Sequence, residues 1–252
     1  MKIMSIFGTR PEIIRLSRIL PLLDSHFEHI MVNTNQNFTP ELNSIFFSEL
    51  EIRKPDYNLK IKTGQFGSEI AEIILETEKI IIKEKPDAML ILGDTNSGLA
   101  SIVGAHYGIK IVHLEAGMRA YDFRMPEDKN RTLIDHLSSI LLTYTNYSRE
   151  NLIRENIHPS KIYVVGNPII EVIDYFMPKI EKSNILKKMK LKEKDYVLVT
   201  AHRSENVDDE DNLKKIFTSL EKIHKKFKKR IIYPMHPRTT SKIKKLKIPK
   251  SI

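Results

Sequence analysis

The chain has no cysteine among its 252 residues, which excludes disulfides, thiolate metal sites and cysteine nucleophiles. No apolar run approaches the roughly 18–20 residues needed to span a bilayer. The opening MKIMSIFGTRPE reaches a turn too soon for a secretory signal, so a cytoplasmic protein with no membrane partner is expected. The glycine–lysine spacing of a Walker loop is missing, and so is the G-x-G-x-x-G of dinucleotide sites. There is no compact His/Asp spacing that points to a metal centre, and no internal repeat.

What remains is ordinary for a globular chain: 41% hydrophobic and 29% charged residues, enough for one large core or two modest ones. The net charge of +9 is unevenly spread. Residues 179–252 hold 22 Lys+Arg against 9 Asp+Glu, or +13, which leaves −4 for residues 1–178. A basic half can face a polyanion. Here, however, aromatics do not interleave with Lys222, Lys225, Lys226, Lys228 and Lys229, as a nucleic-acid platform requires. The lysines read as solvated helix faces, and no nucleic-acid partner is expected.

Short apolar runs alternate with helical patterns. Strands are expected at Ile3–Phe7, His29–Asn33, Ala88–Leu92, Ile109–Leu114, Ile140–Thr143 and Ile162–Val165. Helices are expected at Pro11–Leu23, Pro40–Leu50, Ser68–Lys85, Ser97–Tyr107, from the loop after Leu114 to Ser138, and at Ser148–Glu155. Alternation with buried strands implies an α/β fold with a parallel sheet covered on both faces. The lysine-rich stretch 177–195 breaks the rhythm and reads as a linker with a short helix. A second unit then opens with strand Tyr196–Ala201, helix Asp211–Phe227, strand Arg230–Pro234 and a short helix near Thr239–Leu246. The domain reading is 1–176, linker 177–195, and an incomplete second domain over 196–252, because two parallel strands bury too little surface to stand alone.

The densest chemistry lies in His113–Arg131, HLEAGMRAYDFRMPEDKNR, directly after a strand, where open α/β sheets place their sites. Ala116-Gly117 suits close backbone approach. Pro126 opens a helix with Glu127 and Asp128 in its first turn. Asp94 and Glu115 each close a strand at one edge of the sheet, and Glu127 enters from the loop. Three carboxylates at one rim raise at least one pKa, which suits acid–base work; for Asp94 a helix-capping role stands equal. In GTRPE (Gly8–Glu12) a helix start offers backbone N–H groups to an anion, with Arg10 and Arg15 beside it. A plain helix start is an equal reading. His202 and His236, with Arg203 and Arg238, each follow a strand of the second unit.

Taken in order, these motifs resemble the non-hydrolysing UDP-N-acetylglucosamine 2-epimerases. The matching residues are Gly8–Glu12, Gly93–Thr95, His113–Arg119, Pro126, Glu127, Asn130, Arg131, Gly166–Pro168, His202–Asn206 and Tyr233–Pro237. The resemblance covers essentially the whole chain. It implies a GT-B type fold of two Rossmann-like domains, the second incomplete here. It places Asp94, Glu115, Glu127 and His202 at catalytic positions, and Arg10, Arg15, Arg131 and His236 at substrate-binding positions. The implied reaction converts UDP-GlcNAc to UDP-ManNAc by eliminating and re-adding UDP, for surface polysaccharide, with neither metal nor cofactor. A UDP-sugar is the expected partner and a homodimer the expected assembly.

Three departures qualify the resemblance. Gln36-Asn37 stands where bacterial relatives carry Gln-His, which puts activation by a second substrate molecule in question. The loop RAYDFRMPED is closer to relatives acting on modified UDP-hexosamines. The family's later Ser-Gly-Gly helix start has no counterpart before Ile252, so a truncated chain of little turnover, or a non-catalytic remnant, is the expected alternative. Two other classes compete: a metal-dependent phosphoester hydrolase using Asp94, His113, His202 and His236, and a GT-B glycosyltransferase.

Overall fold

The computed structural model describes residues 1–36, 40–61, 64–122, 124–201, 204–235, 239, 240 and 243. The chain divides into two compact units, Met1–Met177 and Pro178–Ile252.

Among its described residues the first unit holds seven strands: β1 Lys2–Phe7, β2 Glu28–Asn33, β3 Tyr57–Asn58, β4 Ala88–Leu92, β5 Lys110–Leu114, β6 Ile140–Thr143 and β7 Ile162–Val164. Their order is β3-β2-β1-β4-β5-β6-β7, and every pairing is parallel. The order reverses between β1 and β4, so a crevice opens past the carboxyl ends of those two strands.

Helices cover both faces: α1 Arg10–Leu16, α2 Ile19–His26, α3 Pro40–Glu49, α4 Phe66–Glu84, α5 Ser101–His106, α6 Pro126–Leu137, α7 Asn146–Arg154 and α8 Ile169–Glu181. Because side chains alternate along a strand, β1 sends Met4 and Ile6 into one core with Ile73 and Ile80 of α4. Phe7 goes into the other core, with Ile13 and Leu16 of α1. Strands buried on both faces read as the continuous apolar runs that parallel sheets require.

Several element bounds differ from expectation. The helix expected over Pro11–Leu23 is two helices, broken at Ser17 and Arg18. Pro21 is the reason: it lacks an N–H and its ring clashes with the carbonyl four residues back. The chain therefore restarts at Ile19, putting Pro21 in a first turn. Ser97–Tyr107 divides into a 3-10 segment, Asn96–Ala100, and α5. β3 was not expected, since two residues carry no periodicity. In the stretch 177–195 the expected short helix is α9, Ile185–Lys188, but the linker begins later than expected, because α8 runs through Pro178 to Glu181.

The second unit pairs β8 Tyr196–Leu198 with β9 Arg230–Ile232 in parallel. Both strands are shorter than expected. Between them lie α10 Ser204–Val207 and α11 Glu210–Phe227. The apolar face of α11 buries Leu213, Phe217 and Leu220, and Val207 and Ile243 close that small core. Most of the helix expected at 239–246 falls outside the described residues. Among the described residues no helix is long and apolar enough to cross a membrane.

Candidate functional site

The crevice is built by three strand ends and the starts of two helices. After β1, Gly8 and Thr9 lead into α1. Both backbone N–H groups donate to one carboxylate oxygen of Glu12, at 3.1 and 2.8 Å. The Thr95 hydroxyl reaches the other oxygen at 3.0 Å. Glu12, the third residue of α1, thereby closes a capping box with Thr9, which fits the plain helix start among the two readings of GTRPE and takes the Gly8 and Thr9 donors away from any anion. Glu12 is 1% exposed. Burial pushes its carboxyl above the usual range, against the pull of these donors.

Asp94 follows β4, and Thr95, not Asp94, occupies the N-cap of the next segment. The capping role considered for Asp94 is therefore not what the structure shows. Its carboxylate pairs with Arg131. Glu115 follows β5, the hydrogen-bonded neighbour of β4. Its carboxylate is held from two sides, by Arg15 of α1 and by Arg131 Nη2 of α6 at 3.0 Å. Arg131 is itself buried, and its Nη1 lies 3.4 Å from the Met118 carbonyl. Asn130 donates to the Asp94 carbonyl at 3.1 Å, fixing the loop beside it.

Glu115 has φ of +74°, a left-handed conformation that a residue with Cβ adopts at a cost of about 1–3 kcal/mol. The backbone there is fixed by two hydrogen bonds to the Leu142 carbonyl, from Glu115 N at 3.0 Å and Ala116 N at 3.2 Å. Strain held this firmly at a strand end aims the side chain into the crevice.

Asp94, Glu115, Arg15 and Arg131 thus converge. Glu127, exposed in the first turn of α6, is near enough for its charge to act on Asp94. Burial raises the Asp94 carboxyl above its ordinary value; Arg131 opposes this, Glu127 adds to it and Arg15 opposes again. Arg10 does not join the cluster through any ion pair among the described residues. It is exposed, with its guanidinium carbon 5.8 Å from the centre of the Phe46 ring. His202 and His236 lie outside the described residues, as do Arg203, Arg238 and Asn37.

Beneath this cluster lies a support that no local sequence pattern announces. His113 is fully buried, with Nδ1 2.7 Å from Asp135 Oδ1 and Nε2 2.7 Å from the Gly93 carbonyl. Both ring nitrogens are committed to protein acceptors, so His113 does not serve the metal-ligand role considered for it. Asp135 also accepts from Gly117 N at 3.1 Å and pairs with Arg119 at 2.7 Å. Burial pushes the Asp135 carboxyl up, but His113 and Arg119 outweigh it and hold it below its ordinary value. Arg119 makes a two-pronged contact with Glu155, at 2.8 and 2.6 Å. The spacing of Arg131 and Asp135, one helical turn apart on α6, is compatible with it but does not single it out.

Paired carboxylates clamped by two arginines can move a proton and meet an anionic group. Comparisons with known proteins point to the same family as the motifs. Residues 23–251 match the model of the family described as UDP-N-acetylglucosamine 2-epimerase. A UDP-N-acetylglucosamine 2-epimerase of Methanococcus maripaludis is 42% identical over 247 residues, covering 96% of this chain and 67% of the relative. The structure of UDP-N-acetylglucosamine 2-epimerase from Rickettsia bellii aligns with a TM-score of 0.90 at 41% identity, covering 98% of this chain and 65% of that one. The Methanocaldococcus jannaschii UDP-GlcNAc 2-epimerase, solved in complex with UDP-GlcNAc and UDP, aligns with a TM-score of 0.90 at 39% identity, covering 97% and 68%. The chain thus spans about two thirds of the length of these relatives, and its α/β fold is of the GT-B type they share. With sequence, motif order and fold in agreement, this chain belongs to the UDP-N-acetylglucosamine 2-epimerase family.

Proposed function

We propose that the Asp94–Glu115 crevice receives a UDP-hexosamine and inverts C2 of UDP-N-acetylglucosamine by eliminating UDP and adding it back. The observation that carries this reading is the convergence of Asp94 and Glu115, from adjacent strand ends, on one Arg131 nitrogen. Removing an unactivated C2 proton needs a positioned carboxylate. Departure of UDP leaves positive charge on the ring, which carboxylates stabilise, and negative charge on the diphosphate, which in this reading Arg15 meets. Glu127 supplies a third carboxylate at the rim, and the family motifs add Arg10, His202 and His236 to the reading. Protons move without net hydride transfer, so the chemistry calls for no nicotinamide, and in this reading the carboxylates and arginines carry the charge that a metal would otherwise meet. A homodimer and a cytoplasmic location complete the reading, checked by sedimentation and cell fractionation.

The test is proton exchange. The full chain, incubated with UDP-GlcNAc in deuterium oxide, should place deuterium at C2 of the epimerised product, followed by NMR. Glu115→Gln should slow this exchange by orders of magnitude while the fold survives. Product that keeps its original C2 hydrogen, or a strict need for added NAD, would defeat the reading. Faster exchange with a modified UDP-hexosamine would change the sugar and keep the chemistry.

A further inference from the structure

Tyr144 follows β6 directly and shares a strand face with Leu142, packing against the apolar cluster beneath α1. Its hydroxyl is buried and has no hydrogen-bond partner among the described residues; the same holds for Arg131 Nε. An unpaired buried hydroxyl is costly to the folded state, so a partner met on ligand binding is favoured. Tyr144 stands two residues past Leu142, whose carbonyl holds Glu115 N and Ala116 N, and it packs on the side of the sheet covered by α1, the helix whose Arg15 grips Glu115 together with Arg131. Burial raises its pKa more than these two cations lower it, which keeps the proton on the oxygen. Arginine offers no acceptor, so that proton can be donated only to an oxygen such as that of a carboxylate.

We propose that Tyr144 is a positioning residue for Glu115: when an anionic diphosphate draws Arg15 away, the Tyr144 hydroxyl replaces it on the Glu115 carboxylate. The inference rests on the functional reading above. It adds a physical reason why Glu115 can lose one guanidinium without being left short of donors. A neutral hydroxyl orients the carboxylate while withdrawing less charge than an arginine, so Glu115 becomes the stronger base once ligand is bound. Arg131, on the other carboxylate oxygen, stays in place throughout.

The test is a pair of measurements on the full chain with Tyr144→Phe. In the parent background the hydroxyl makes no bond, so urea unfolding should show stability unchanged or raised. In an Arg15→Met background the hydroxyl is already released to Glu115, and the same change should lower the folding equilibrium constant five- to tenfold. Calorimetry with UDP as the probe should show affinity reduced about fivefold or more by Tyr144→Phe alone. Loss of stability in the parent background would overturn the proposal, because the hydroxyl would then be bonded before any ligand arrives. Additive effects of the two substitutions would overturn it as well. Equal UDP affinity in parent and variant sinks this inference alone, whereas no UDP binding by the parent sinks the functional reading beneath it. Should Arg15→Met fail to fold, the parent-background stability and the UDP affinity still decide.

Discussion

Arg131 holds Glu115 with the same nitrogen, Nη2, that pairs with Asp94. One cation thereby joins two carboxylates from adjacent strands, and neither acid is free to relax away from the other. Breaking a buried ion pair by removing one partner costs about 3–5 kcal/mol. Arg131→Met should fall at the low end, about 3 kcal/mol at neutral pH, because the Asp94 side chain is 22% exposed and Arg15 still serves Glu115. Lowering the pH protonates the stranded carboxylates, so the penalty should shrink on the acid side. Urea unfolding of parent and variant across pH checks both the size and the trend.

Asp94→Asn separates stability from turnover. The folded-state pKa of Asp94 lies above its ordinary value, so ionised Asp94 is a burden on the folded state. Its contribution is fully present below the unfolded pKa and is lost as pH rises through the raised folded one. The variant should therefore match the parent in acid and become more stable than it toward neutrality, while C2 exchange falls. A variant less stable than the parent at pH 7 would show that Arg131 dominates over burial.

The sheet was legible in the sequence because its strands are buried on both faces and stand out as apolar runs. Asp94 and Glu115 were legible because each ends such a run. Less visible was anything that depends on long-range geometry. The left-handed backbone of Glu115 is imposed by Leu142, on the next strand, and no local pattern announces it. Glu12 read as part of a motif, but its burial against Gly8, Thr9 and Thr95 depends on β1 and β4 being neighbours. Asp135 sits in an amphipathic helix like any polar residue, and only the register of α6 over β5 brings it to His113. The break before Ile19 is a different matter: Pro21 announced it locally, and apolar periodicity on both sides masked it.

Gly117 has φ of +73°, and a Cβ added there would lie 2.2 Å from the Ser148 carbonyl oxygen and 2.8 Å from Leu152 Cγ. Gly117→Ala therefore combines left-handed strain of about 1–2 kcal/mol with overpacking of about 1–3 kcal/mol. Gly108 has nearly the same backbone, φ +72°, with nothing within 4 Å of the added atom. Gly108→Ala should show the strain alone. Thermal unfolding of the two variants side by side isolates the close approach of α7 to the loop, and equal losses would argue against that contact.

Glu12 ties the start of α1 to Thr95 beside Asp94, and its chemistry makes an unusual pair of predictions. One of its carboxylate oxygens accepts from Gly8 N and Thr9 N, and the other meets a hydroxyl, Thr95 Oγ1, that can accept as well as donate. Glutamine fits this environment: its carbonyl oxygen can take both N–H groups, and its amide can donate to Thr95. Burial already drives the glutamate above its usual pKa, so an ionised carboxylate is a cost that glutamine removes. Glu12→Gln should hold or raise stability at neutral pH, with the advantage fading below the ordinary glutamate pKa. Glu12→Ala strands the buried Gly8 N–H and should cost about 1–3 kcal/mol for each donor that water cannot reach. It also frees Thr95, the residue after Asp94, so C2 exchange should fall in the alanine variant and persist in the glutamine one. Equal destabilisation by the two substitutions would mean that the ionised carboxylate itself, rather than its acceptor geometry, holds the Gly8–Thr95 junction together.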